Sequence, residues 1–240
     1  PAHDPSRAYG FAGVVISLET LAASIWLWYL EGSNGSRTWK SRKVIEIPAE
    51  PAAEEDLPPL LKGFKAVPPL ITDLNLSLDD RFLYVSCWGT GEMKQYDVSD
   101  PFHPRETASL RIGGIVGRRS HPSRPAKPLN GGPQMVEISR DGRRVYFTNS
   151  LYSPWDAQFY PDGIRSWMAR VNVGSRGGMA FDPRFFVEFE DGMRAHQVRL
   201  QGGDAVLIPS LEFVIRVQEL LFQLRKAFLP MVLRRLVVLA

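Results

Sequence analysis

Four histidines and one cysteine supply the imidazole and thiol groups with which this 240-residue chain could bind a transition metal. His3, His103 and His121 stand beside Asp, Pro or Ser in loop-like contexts, and we predict that they lie on the surface. His196 precedes a short strand-like segment, where it could be an ordinary strand-edge histidine or a metal ligand. Because a copper centre uses about three nitrogen donors, His196 alone does not define a site.

Cys87 lies beside Trp88 in the apolar run FLYVSCW, which predicts a buried core thiol rather than a reactive one. A single cysteine excludes an intrachain disulfide and a thiolate zinc cluster. It is compatible with a reducing compartment without requiring one. Residues 1–5 have no basic segment ahead of an apolar stretch, so they do not predict a signal peptide. The compartment stays open between cytoplasm and periplasm.

The net charge of +3 and the pI of about 9.1 come from two basic clusters. One lies just before the middle of the chain, from Arg118 to Lys127, and the other lies near the C-terminus, from Arg216 to Arg235. Short runs of this kind are typical of solvated loops and polar helix faces. We therefore expect no nucleic-acid partner.

Short strands dominate the pattern from residue 11 onward. Runs at 11–18, 24–30 and 39–47, joined by brief turns, predict an antiparallel meander. Residues 49–69, rich in Pro, Ala and Glu, predict a long connection over the surface. Two sets of four strands follow, at 70–76, 82–88, 93–98 and 106–112, and at 135–139, 144–149, 166–173 and 185–189.

The two four-stranded sets contain a repeated turn. LSLDDRFLYV at 76–85 aligns with ISRDGRRVYF at 138–147, so that Ser, Asp, Arg and Tyr recur in register. Asp-Asp or Asp-Gly forms the turn, and the following apolar run forms the next strand. A repeated four-stranded unit is typical of a β-propeller blade, with residues 113–133 as an insertion between blades. The alternative is an antiparallel sandwich or two stacked meanders.

The number of blades is too small for a closed propeller. The sequence offers three sets of strands and the start of a fourth at 196–200, whereas propellers close with about four to eight blades. We therefore expect a partial β-propeller from which residues are missing at one end. Its open blade edges predict self-association.

Several strings resemble the selenium-binding protein family, whose members include methanethiol oxidases. They are DDRFLYVS at 79–86, QYDVSDP at 95–101, GGPQM at 131–135 and SLYSPWDAQFYP at 150–161. The resemblance runs from about Pro1 to Ala205 and corresponds to the later half of a longer polypeptide. It implies an all-β fold in which residues 1–205 form about three four-stranded blades of a seven-bladed wheel.

The same resemblance implies an oxidase that converts methanethiol, oxygen and water to formaldehyde, hydrogen sulfide and hydrogen peroxide. The implied cofactor is copper, held by histidines near the central channel. AHQVRL at 195–200 resembles the family segment with one candidate copper ligand, so the metal ligand predicted here is His196. The other candidates belong to the earlier half. The alternative is a non-catalytic propeller scaffold or a selenium-binding protein, this truncated form being inactive.

Residues 206–240 depart from the family pattern and predict a separate helical tail. Phe213, Val217, Leu220, Leu221 and Leu224 fall on one apolar stripe. A later proline, at position 230, should kink the helix. We interpret the tail as a product of a shifted reading frame or a misjudged exon boundary. A basic amphipathic helix on a membrane surface or in a partner groove is the alternative.

Overall fold

The computed structural model describes residues 1–33, 35–190 and 192–198, and strands make up most of its regular structure. The strands are β1 (Tyr9–Val14), β2 (Ala23–Glu31), β3 (Thr38–Ile47), β4 (Glu50–Pro51), β5 (Ala66–Val67), β6 (Ile71–Leu76), β7 (Phe82–Cys87), β8 (Glu92–Asp97), β9 (Arg105–Arg111), β10 (Val136–Ile138), β11 (Arg144–Thr148), β12 (Ser166–Val173) and β13 (Met179–Phe189). A helix, α1 (Ser153–Phe159), follows β11, and two 3-10 turns (Glu54–Asp56 and Lys62–Phe64) lie between β4 and β5.

Three antiparallel meanders account for most of these strands. The first sheet has the order β1-β2-β3, the second sheet β6-β7-β8-β9 and the third sheet β10-β11-β12-β13. Each strand pairs with its neighbour in sequence, which is the topology that short turns between strands impose. The predicted all-β class and the three sets of strands are confirmed. β4 and β5 form a separate two-stranded ladder.

The repeated turn predicted from the sequence has the same geometry in both sheets. The backbone N–H of Phe82 donates to Ser77 Oγ at 2.8 Å, and that of Arg144 donates to Ser139 Oγ at 3.2 Å. Asp80 and Gly142 occupy the same left-handed position, with φ of 57° and 65°. The turn requires this conformation, which glycine and aspartate tolerate better than most residues.

The second sheet has an apolar cluster on each of its faces. Leu83 and Val85 of β7 point toward the first sheet and pack with its buried residues, including Leu27. Phe82 and Tyr84 of the same strand point the other way and pack with the third sheet. Because side chains alternate along a strand, one strand contributes to both clusters. The three sheets are therefore stacked face to face in sequence order.

The connection at 49–69 is more structured than the sequence predicted. It forms β4, the two 3-10 turns and β5, and it buries Leu57, Leu61 and Val67. These side chains pack in a third cluster around Trp88. The connection runs over the surface as predicted for most of its residues, and the apolar residues between its prolines also pack against Trp88 at the end of the second sheet.

Within the described residues, no helix is long and apolar enough to cross a membrane. The predicted helical tail and the predicted boundary after Ala205 lie outside the described residues. The fourth set of strands predicted at 196–200 is described only through Val198, and residues 196–198 have no strand pairing.

Candidate functional site

The four histidines lie in four different environments. His103 is exposed, as predicted, and its Nδ1 lies 2.8 Å from Asp100 Oδ2. His3 is half-buried, with its Nε2 3.1 Å from the carbonyl oxygen of Leu76. His121 is fully buried, so its predicted surface position was wrong. The insertion that carries it folds back onto the aromatic side chains of β13, which the local sequence does not indicate.

His196 is exposed on a segment that polar contacts hold to the third sheet and to α1. Its carbonyl oxygen accepts a hydrogen bond of 2.9 Å from Thr148 Oγ1, and its ring stacks on Tyr152 with centroids 6.5 Å apart. The preceding backbone N–H, of Ala195, donates to Ser166 Oγ at 2.8 Å. These contacts fix the backbone of His196 while the imidazole remains accessible.

Arg194 provides the strongest anchor of this segment. Its guanidinium forms an ion pair with Asp156 of α1 and donates to Ser150 Oγ at 3.0 Å. The carboxylate of Asp156 is buried, and it also accepts a 3.2 Å hydrogen bond from the backbone N–H of Leu151. A buried carboxylate is stable when it is paired and fully hydrogen-bonded. The network thereby ties residues 194–196 to the start of α1.

Asp73, on β6, is the acidic group whose charge interacts with His196. Its Oδ2 accepts a hydrogen bond of 2.8 Å from the backbone N–H of Val136 on β10. Burial raises the pKa of Asp73, whereas that hydrogen bond, one from Leu74 and the charge of His196 act in the opposite direction. Asp73 therefore links the first strands of the second and third sheets.

Gln134, just before β10, contributes a polar atom that has no hydrogen-bond partner within the described part of the chain. Its side chain is buried, and Oε1 is the unpartnered atom. Its backbone N–H donates to the carbonyl oxygen of Thr148 at 2.8 Å. Gln134 thus belongs to the same polar region as Asp73 and Thr148.

The described residues do not fit a copper site by themselves. No group of three or more His, Cys, Asp or Glu side chains among them could hold a metal ion. Copper prefers several imidazole donors, and His196 supplies one. His196 remains a predicted ligand that the described structure does not bring together with other histidines.

Cys87 is a free thiol with no solvent exposure, as predicted. Burial and the nearby charge of Glu92 raise the pKa of this thiol far above its ordinary value. The thiolate is the nucleophilic form, so Cys87 is unreactive in this fold. It therefore belongs to the core between the first and second sheets.

Sequence analysis missed Asp73, Thr148 and Asp156. Asp73 carried a weak signal, because it is the charged residue of the first strand (ITDLNL). The pairing of Asp156 with Arg194 depends on α1, which was not predicted.

The fold and the site define a class of protein: stacked antiparallel sheets of three or four strands, with a histidine-bearing segment held against the third sheet. The profile of the family described as 56kDa selenium binding protein (SBP56) matches residues 1–207. The chain belongs to this family.

Relatives with assigned names are similar over most of this chain. Human methanethiol oxidase is 40% identical over 226 residues, covering 84% of this chain and 44% of the relative. Mouse selenium-binding protein 2 is 40% identical over 224 residues, with the same two coverages. The X-ray structure of a hypothetical selenium-binding protein from Sulfolobus tokodaii is 55% identical with a TM-score of 0.80, covering 86% of this chain and 44% of that one. This chain thus spans less than half the length of these relatives.

Proposed function

We propose that this chain forms the later blades of a β-propeller methanethiol oxidase. The reaction is the oxidation of methanethiol by oxygen and water to formaldehyde, hydrogen sulfide and hydrogen peroxide. Its support is the 40% identity to a relative named methanethiol oxidase over 84% of the chain. The proposed partners are therefore a small thiol and oxygen.

The arrangement of the first strands supports the propeller. β6 contacts both β1 and β10, so the first strand of each sheet lies next to the first strand of the following one. Thr72 Oγ1 donates to the carbonyl oxygen of Gln134 at 3.2 Å, and Asp73 accepts from the backbone N–H of Val136. First strands that adjoin in this way are expected around a common central channel.

The first sheet supports the proposal that the wheel is incomplete. It has three strands where the other two sheets have four. A groove of about 330 Å³ lies beside it, lined by residues 1–3, Phe11 and leucines of β6 and β7. Among the residues that the structure describes, the three stacked sheets are also fewer than the roughly four to eight that close a propeller. Open edges of this kind favour self-association.

His196 is the one metal ligand that we propose within the described residues. It is exposed, and its backbone is fixed by Thr148 and by the Arg194 anchor. When bound, copper would supply the redox chemistry needed to reduce oxygen. Because the described residues lack further clustered donors, the remaining ligands would come from elsewhere, and this chain alone is expected to be inactive.

The proposal is tested by copper retention and peroxide release. The 240-residue chain is incubated with Cu(II) and desalted, its metal content is measured, and hydrogen peroxide is then assayed with methanethiol. Human methanethiol oxidase serves as the positive control. We expect weak or no copper retention and no turnover by this chain. Stoichiometric copper with steady peroxide release would contradict the incomplete site and support the oxidase chemistry.

Two matched variants test the role of His196. His196→Asn should abolish any residual copper retention, whereas His103→Asn should leave it unchanged because His103 is exposed and paired with Asp100. Equal copper loss in both variants would contradict the proposal that His196 is a copper ligand.

Light scattering of the 240-residue chain tests whether the open blade edges cause self-association. We expect oligomers, and a sharp monomer peak would contradict this proposal.

The second candidate is a non-catalytic propeller scaffold or a selenium-binding protein. The absence of a cluster of metal donors within residues 1–33, 35–190 and 192–198 favours a scaffold. The burial of Cys87 disfavours selenium binding through that thiol. Binding of selenite that a Cys87→Ala variant retains would support selenium binding at another place.

A further inference from the structure

His121 fastens the insertion at 113–133 to the outer strand of the third sheet. Its ring is completely buried and stacks on Phe186, with centroids 4.6 Å apart and planes at 21°. Phe181 meets the same ring edge-on at 5.5 Å. Both phenylalanines belong to β13, so this one side chain docks the insertion against that strand.

The hydrogen bonds of His121 are those of a neutral imidazole. The backbone N–H of Ser123 donates to Nδ1 at 3.2 Å, and Ser123 Oγ lies 2.7 Å from the same nitrogen. Because Nδ1 accepts a hydrogen bond, the ring proton of the neutral form resides on Nε2. Nε2 is buried and has no partner among the described residues. Protonation of Nδ1 would place a second donor against the Ser123 N–H.

Ion pairs fasten the same insertion a few residues further along. Arg124 and Lys127 both pair with Glu188 of β13, and Lys127 Nζ lies 2.7 Å from Glu188 Oε1. Arg124 also lies over the ring of Phe186, 5.6 Å from its centroid. Arg124 and Lys127 are partly exposed, so each pair contributes little on its own. Leu129 and Asn130 are held to the third sheet separately, by core packing and by hydrogen bonds from Asn149 and Trp167. Along residues 117–128, the buried imidazole is therefore the main attachment to β13.

The charges around His121 come from both elements that pack on it. Burial lowers the pKa of His121, the carboxylate of Asp182 on β13 opposes this, and the guanidinium of Arg124 adds to it. Asp182 is itself paired with Arg170 of β12, which reduces its effect on the imidazole. A cation–π contact of an imidazolium with Phe186 would offset only part of the desolvation cost.

We propose that His121 is a pH-sensitive latch, which holds the insertion closed when the imidazole is neutral and releases it when the imidazole is protonated. Release exposes Phe181 and Phe186. It also widens the cleft of about 400 Å³ that Lys127 and Asn130 of the insertion form with Arg165.

The sign of the pH dependence follows from the lowered pKa. The imidazole of His121 has a depressed pKa in the closed state, so its neutral form favours that state. This stabilisation is complete at pH values above about 6.5, the pKa of an unperturbed histidine. As the pH falls below that value, the open state takes up more protons and becomes relatively more populated. The population of the open state should rise by up to about tenfold per pH unit until the closed state is also protonated.

Hydrogen exchange of the 240-residue chain, measured by mass spectrometry between pH 5 and 8, tests the latch. After correction for intrinsic exchange, peptides covering residues 117–128 should open more as the pH falls, while peptides covering β7 and β8 should not. His121→Phe preserves an aromatic ring and should remove this pH dependence. If the wild-type insertion shows no pH dependence, or if His121→Phe shows the same dependence, the proposal is overturned.

Two further variants keep the test decisive. His121→Gln also removes the titration and replaces the phenylalanine variant if that one fails to fold. Glu188→Gln should raise opening at every pH without changing its dependence on pH, because it weakens the ion pairs and leaves His121 in place. Loss of the dependence in Glu188→Gln would assign the effect to the ion pairs and contradict the latch.

Discussion

The second sheet contacts its two neighbours in different ways. At the first junction, between the first and second sheets, Leu27 and Ile25 pack against Leu83 and Val85 in a continuous apolar cluster. At the second junction, between the second and third sheets, an apolar cluster is joined by hydrogen bonds between the sheets. Among these, Asp73 accepts from the backbone N–H of Val136, and Trp88 Nε1 donates to the carbonyl oxygen of Asn149 at 2.9 Å.

This difference distinguishes contacts that hold two sheets together from contacts that fix how the two sheets are aligned. Apolar burial draws two sheets together but depends little on direction, whereas hydrogen bonds fix one strand against another. The second junction contains Asp73, and Thr148 of the third sheet binds the backbone of His196. The alignment of these two sheets therefore helps to position the candidate site. The first junction lies beside the groove at β1. Its hydrogen bonds come from His3 and Asp4, before β1, to Leu76 and Asp80, and the strands themselves meet mainly through apolar burial.

The largest expected effect comes from close backbone packing at the second junction. Gly113 has φ of 64°, and a Cβ there would lie 1.9 Å from the carbonyl oxygen of Gly131. Gly113→Ala should lower the free energy of unfolding by about 4 kcal/mol, from backbone strain and overlap together. Gly142→Ala, with φ of 65° and open space around it, should cost only about 1 kcal/mol in urea unfolding. Equal losses of stability in the two variants would show that the close contact between Gly113 and Gly131 is unimportant.

A cavity at the first junction should have the next largest effect. Leu27 is fully buried between the first and second sheets. Leu27→Ala should cost about 3 kcal/mol in denaturant unfolding, since the sheets cannot collapse fully around the space. Leu18→Ala removes the same atoms from a side chain that is 88% exposed, and it should change stability by less than about 0.5 kcal/mol. A small loss for Leu27→Ala would mean that burial does not dominate this junction.

Removal of the Asp73 carboxylate tests alignment at the second junction. Asp73→Ala leaves the backbone N–H of Val136 without its acceptor and should cost about 2 kcal/mol. Exchange protection of β10 should fall more than that of β2. Asp100→Ala, at an exposed turn, is the control and should cost less than about 1 kcal/mol. Equal loss of protection in β2 and β10 would contradict a local role for Asp73.

The smallest effect is expected from the ion pair between Arg111 and Glu50, which joins β9 to the β4–β5 ladder. Both side chains are substantially exposed. Glu50→Gln should therefore cost less than about 1 kcal/mol, and the difference should shrink further in 1 M salt, at about a 3 Å Debye length. A large, salt-independent loss would show that this polar contact matters more than its exposure indicates.

The strands and turns were largely predictable because their signals are local. Ser166–Val173 was predicted residue for residue, and the repeated turn follows from short-range Ser and Asp hydrogen bonds. β13 begins at Met179, ahead of the predicted residue 185, and Met179 pairs with Val173 of β12 directly across the turn at 174–178. The candidate site was less predictable, since Asp73, Thr148 and Asp156 are far from His196 in sequence.

The sequence by itself determined the β class, the repeated unit, the buried thiol of Cys87 and the family, because each depends on residue types in a continuous stretch. The tertiary structure alone decided that His121 is buried against β13 and that Thr148 binds the backbone of His196. Those positions result from packing between sheets, where the contacting residues are separated by tens of positions along the chain.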